Sequence, residues 1–128
     1  METIELEAQV YGALTADTAL MELLPKGQNS IFYLQAPGDE MDRYPVLVYS
    51  PVSDVPILAA DNKEFAHRVT MRVHIITLDG QYGDIYRHIH RVMEGLGFSR
   101  SQAQPYVEDG EKILIVDYKI GVDSLWQL

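Results

Sequence analysis

The sequence predicts an α+β domain, with a mainly antiparallel sheet of about four to five strands and two helices packed on one face. Three observations carry this. Residues 65–77 alternate: Phe65, His67, Val69, Met71, Val73, Ile75 and Thr77 point one way, and Ala66, Arg68, Thr70, Arg72 and His74 the other. That period of two marks a half-buried strand. Within a few residues the spacing becomes helical, at Tyr82, Ile85, Tyr86, Ile89, Val92, Met93 and Leu96. Residues 112–122 then alternate again, directly after the hairpin-turn sequence Glu108-Asp109-Gly110-Glu111.

The remaining elements follow in order. Ile4, Ala8, Tyr11, Ala13 and Leu14 fall near one helical stripe, widened by Leu6 and Val10, so residues 4–14 read as a helix. Thr15 or Asp17 is placed to cap a further turn or short helix through Leu24, which Pro25-Lys26-Gly27 ends. Residues 31–34 form a short apolar run of strand length. Residues 35–44 carry loop chemistry, and Val46-Leu47-Val48-Tyr49 reads as a buried strand. Pro51 and Pro56 argue against one regular central strand continuing to Ala60. Gly80-Gln81-Tyr82-Gly83 reads as a strand-to-helix turn, Gly95 and Gly97 are C-cap candidates, and residues 99–107 form a strand that Pro105 interrupts.

The 128 residues suit a single domain, 1–128, able to bury a core without staples. There is no cysteine, which removes disulfides, thiolate nucleophiles and Cys-ligated metals, and fits a reducing compartment. No apolar run approaches the ~20 residues of a membrane span. The opening residues 1–7 are acidic where a signal peptide is basic, so a cytoplasmic origin is expected. The formal charge is −9, with 10 Lys+Arg scattered among 19 Asp+Glu. Phosphate neutralisation needs clustered cations, so DNA binding is not the expected main role. An acidic surface suits solubility, or the lining of a passage that DNA traverses without sticking.

No catalytic constellation emerges. His88 and His90 lie ~200° apart on a helix, and His67 and His74 fall on opposite faces of a strand, so neither pair grips one ion. Asp39-Glu40-Met41-Asp42 lacks the glycine and terminal glutamate of an EF-hand loop. No serine sits in a nucleophile elbow. Tyr11, Tyr82, Tyr86 and Tyr118 fall on expected core faces. No catalytic, cofactor or metal residue is therefore assigned.

The least ordinary stretch is 51–60, apolar and proline-broken where a connection is normally polar. It either folds back over its own core or projects as an arm that buries Val55, Ile57 and Leu58 against a neighbouring subunit. Trp126 and Leu128 at the C-terminus form a second candidate contact, locking the last strand or docking on a partner.

The pattern Leu14-Thr15-Ala16-Asp17-Thr18-Ala19-Leu20-Met21 after an opening helix, then Tyr44-Pro45-Val46-Leu47-Val48, then a long strand, a helix and a final hairpin, resembles the tail-completion proteins of long-tailed bacteriophages and prophages. These include tail terminators and tail-to-head joining proteins. The resemblance covers nearly the whole chain as an order of elements. It implies a ring, typically a hexamer, at the head-proximal end of the tail, with the tail-tube protein on one side and the head connector on the other. It further implies no enzymatic activity; the residues themselves suggest no cofactor and no membrane span. The place it implies is the virion tail or neck, reached from the host cytoplasm during assembly, with DNA passing through the ring. Two other readings of the residues stay open: a small ligand-binding or enzymatic α+β domain with a pocket between sheet and helices, suggested by the Tyr and His content near the second helix, and a non-phage cytoplasmic interaction adaptor.

Overall fold

The alternating segment becomes β3, Lys63–Thr77, the middle strand of a five-stranded sheet. The structure is a computed structural model that describes residues 3–36, 43–60 and 63–123; for 3–4, 58–60, 63–65 and 123 it describes the backbone course. Before β3 come α1 (Thr3–Ala16), α2 (Thr18–Glu22), a 3-10 turn (Gly27–Ser30), β1 (Ile31–Tyr33) and β2 (Val46–Ala60). After it come α3 (Gly83–Gly95), β4 (Ser99–Glu108) and β5 (Glu111–Asp123). The strand order is β1-β2-β3-β5-β4. Three of the four pairings are antiparallel, and β1 alone runs parallel to its neighbour β2. The predicted α+β class with a mainly antiparallel sheet is the one observed.

The helices share one core with one face of the sheet. Val69, Met71, Val73 and Ile75 of β3 and Leu114, Val116 and Tyr118 of β5 pack with Leu6, Val10 and Leu14 of α1 and Ile85, Ile89 and Met93 of α3. Full burial of each such side chain contributes roughly 1.5–3 kcal/mol. Tyr49 of β2 stacks on Tyr11 of α1 at 6.4 Å between ring centroids and meets the edge of Tyr33 at 5.4 Å. These contacts hold the short β1 to the helical layer.

Local signals explain the element ends. Asp17 caps α2, its Oδ1 accepting from the Leu20 N–H at 3.0 Å, while the Thr15 hydroxyl turns back to donate to the Tyr11 carbonyl. At the end of α3 the Phe98 N–H donates to the Met93 carbonyl and the Gly97 N–H to the Glu94 carbonyl, both at 3.0 Å. That is a Schellman motif, and Gly97 takes its left-handed position at φ +100°. Asp109 and Gly110, at φ +49° and +82°, make the tight turn between β4 and β5.

The prolines do not end β2, but the strand that carries them is neither regular nor central: its register shifts three times, and past Tyr49 it lies at the sheet edge. β2 continues through Pro51 and Pro56 to Ala60 and pairs with β3 over that whole length. The physical reason is position. β1 covers only Leu47, Val48 and Tyr49, and its pairing ends where the Leu34 N–H donates to the Tyr49 carbonyl. Beyond Tyr49, β2 is an edge strand, where a missing N–H need not cost a ladder bond. Pro105 is accommodated in the same way on β4, the opposite edge.

Candidate assembly surfaces

The distal halves of β2 and β3 pair as a long hairpin, here called the arm, with β5 running beside β3 as far as Ala66. A bulge between Pro51 and Ser53 inserts Val52, and pairing then resumes as Ser53 with Thr70, Asp54 with Val69 and Val55 with Arg68. The extra residue reverses the alternation of β2. Asp54 now faces the helix side, with its Oδ1 2.5 Å from Nδ1 of the buried His67. Val55 and Ile57 face the helix-free side and are 45% and 44% exposed. The Ile57 Cδ1 lies over Gly121 of β5, 3.5 Å from where a Cβ would stand. Of the candidate contact residues, Val55 and Ile57 thus sit together on one exposed face, and the bulged Val52 nearby is 43% exposed. Leu58 belongs to the backbone of the same strand. Trp126 and Leu128 lie outside the described residues.

The helix-free face of the sheet carries a polar row invisible to sequence inspection. Register places Arg72 opposite Asp117, and Gln102 opposite Asp117 on the other side. Arg72 donates to Asp117 through Nε at 2.8 Å and Nη2 at 3.0 Å, and Gln102 Nε2 donates at 3.0 Å. The Arg72 hydrogen bonds hold the Asp117 carboxyl below the usual carboxylate range despite its burial. His74, in the next row, also has a lowered pKa, through burial first and then the Arg72 charge.

The histidines behave as scaffold. His67 and His74 occupy opposite faces, and His88 and His90 flank the apolar stripe of α3 with partly exposed side chains. Among the described residues no group of three or more His, Asp or Glu is placed to hold a metal ion. The tyrosines predicted to pack do so: Tyr118 is fully buried, and Tyr11, Tyr82 and Tyr86 lie against the core.

A cavity of about 320 Å³ opens between α3 and β4, lined by Tyr86, Arg87, His90, Arg91, Glu94 and Arg100. The Arg100 guanidinium donates to the Tyr86 hydroxyl at 2.6 Å, and Arg87 pairs with Asp84 one turn back. His90 Nε2 lies 3.1 Å from Glu94. Arg87 and Arg91 are one helical turn apart on α3, and the folding of α3 against the start of β4 adds Arg100 to them.

Comparison with known proteins agrees with this architecture. Among solved structures, a chain described as "Virion of native gene transfer agent (GTA) particle" superposes with a TM-score of 0.63, covering 93% of this chain and 95% of that one at 16% identity. The likeness at that identity is one of fold. No curated protein matches the sequence. The sequence model of the family described as "Tail completion protein gp17" matches residues 8–114, from the first helix to the first residues of the last strand. The chain belongs to the tail completion protein gp17 family.

Proposed function

We propose that this chain is a structural virion protein that completes a phage or prophage tail at its head-proximal end. Copies assemble into a ring, with six the expected number, that joins the tail tube to the head connector and lets DNA pass through. No enzymatic step is assigned to it. The observation that carries this reading, within a tail-completion family, is the β2–β3 arm with Val52, Val55 and Ile57 exposed together. Grouped apolar residues on an exposed sheet edge suit burial against a neighbour. Pro51, Pro56 and three register shifts make the arm a poor template for stray strand pairing, so it offers side chains instead of backbone. The net charge of −9 suits a conduit that does not retain DNA.

Native mass measurement with negative-stain imaging, with and without tail tubes, tests the proposal. Rings capping or joining the tubes are expected. A protein that stays monomeric at high concentration and never associates with tube ends would overturn it.

A further inference from the structure

β3 has two neighbours in the sheet, and they grip it differently. β5 pairs with β3 from Ala66 to Thr77 without a register shift, whereas β2 shifts three times beyond Pro51. Burial does little to fix β2 there, because Val52, Ser53, Asp54, Val55, Pro56 and Ile57 are all exposed. A strand with no buried face is weakly held in register, and a slip of one residue turns every side chain to the other face. Taking out the Val52 bulge gives such a slip. Asp54 would then lie opposite Arg68 on the helix-free face, drawn by its opposite charge, and Val55 would turn to the helix side opposite His67. The later shifts, between Pro56 and Leu58 and between Leu58 and Ala59, can take up the displaced residue before the strand ends.

One polar contact opposes this slip. His67 is 5% exposed, and its Nδ1 lies 2.5 Å from the Asp54 Oδ1. The contact runs diagonally across the pair, since Asp54 stands opposite Val69 and His67 opposite Pro56. It exists only while Asp54 is on the helix side, and so only with the bulge in place. Slipping by one residue would carry the carboxylate to the other face of the sheet and give up a hydrogen bond to a charged group.

We propose that the Asp54–His67 contact locks the register of the distal half of β2. His67 is then a positioning residue that decides which side chains this edge presents. With the lock closed, the helix-free face shows Val55; with the lock open, it shows Asp54. The register is a property of the single chain. Only its consequence, that a neighbour meets an apolar side chain in place of a carboxylate, rests on the ring reading above.

The chain has no cysteine, so introduced pairs report the register of the isolated protein. Val55→Cys with Arg68→Cys puts the thiols opposite each other in the observed register, within reach of a disulfide. Mild oxidation is expected to bridge this pair. Adding His67→Leu should lower the yield about tenfold, the factor carried by a hydrogen bond to a charged group. Adding His67→Asn instead, which keeps a nitrogen near the Nδ1 position, restores the parent yield; simple loss of the buried ring would lower both. Asp54→Cys with Arg68→Cys removes the lock and is expected to bridge as well, although in the observed register those two side chains point to opposite faces. NMR of His67→Leu with Arg68 intact should show cross-strand contacts between residues 54 and 68 in place of 55 and 68. A folded His67→Leu protein that keeps the 55–68 contacts, or an Asp54→Cys and Arg68→Cys pair that stays reduced, overturns the lock. Where His67→Leu does not fold, the Asp54→Cys pair, which leaves the buried residues untouched, decides alone. Failure of the ring reading is separate: it shows as a parent chain that passes the register test yet forms no rings and never associates with tube ends.

Discussion

Arg72 grips Asp117 with two hydrogen bonds, at 2.8 and 3.0 Å, on the face of the sheet that no helix covers. The Asp117 side chain is 7% exposed and that of Arg72 35%, so the carboxylate is the buried partner. Removing the guanidinium strands a buried charge. Arg72→Ala is expected to cost about 2–3 kcal/mol, the buried-pair figure reduced for the wet side of Arg72. Replacing both residues with leucine costs much less than the sum of the two single changes, because no charge is left unpaired. Urea denaturation of the singles and the double gives the cycle. A loss under about 0.5 kcal/mol for Arg72→Ala would place the pair among ordinary surface contacts.

The same face makes stability pH-dependent in two windows. His74 has a lowered pKa in the fold, so below about pH 6.5 the unfolded chain takes up a proton that the native protein refuses. Stability present above that pH falls as pH drops toward the folded value. Asp117, also lowered, contributes stability that is fully present above about pH 3.9 and is lost as pH falls through its folded pKa. Thermal melts from pH 8 to pH 3 should show both declines. His74→Gln flattens the first and Asp117→Asn the second. A His74→Gln profile that still falls between pH 6.5 and 5 with the wild-type slope would remove His74 as the cause.

The order of elements was legible because it rests on local periodicity. β3, α3 and β5 each bury one face, so their patterns of two and 3.6 survive in the sequence. The Asp109-Gly110 turn was legible for a similar reason, since left-handed backbone selects its residues. The arm was half legible. Its apolar content at Val55 and Ile57 stood out, and Pro51 and Pro56 spoke against a regular central strand, but nothing local said that an irregular edge strand would continue through them. The bulge at Val52 further hides the alternation by shifting its phase. The parallel partnership of the short β1 with β2 depends on distant packing and leaves no local mark. The Arg72–Asp117–Gln102 row and the joining of Arg100 to Arg87 and Arg91 require the register between strands and the placing of α3, which only the folded chain supplies.

Core and arm substitutions should separate folding from assembly. Ile75 is fully buried in β3, and Ile75→Ala is expected to cost about 2–5 kcal/mol through lost burial and the cavity left behind. Ile57 is 44% exposed, and Ile57→Ser should change monomer stability by about 0.5 kcal/mol or less. Under the proposed function the same Ile57→Ser removes a ring contact. Denaturation curves and native mass spectra of the two variants make the comparison. Ile57→Ser rings as abundant as the wild type would show that the arm does not hold neighbours.

The two C-cap candidates of α3 should respond in opposite directions to one methyl group. Gly95 is the last residue of the helix and an added Cβ there meets open space. Gly95→Ala therefore lowers the entropy of the unfolded chain without strain and is expected to stabilise by about 0.5 kcal/mol, less than a mid-helix exchange. Gly97 sits at φ +100°, and its added Cβ would stand 3.4 Å from the Ile120 Cδ1. Gly97→Ala pays the left-handed penalty of about 1–2 kcal/mol and loosens the turn that seats Phe98 in the core. Thermal denaturation of both variants beside the parent reads the sign directly. Equal melting temperatures for the two would mean that the helix ends by another route than the Gly97 motif.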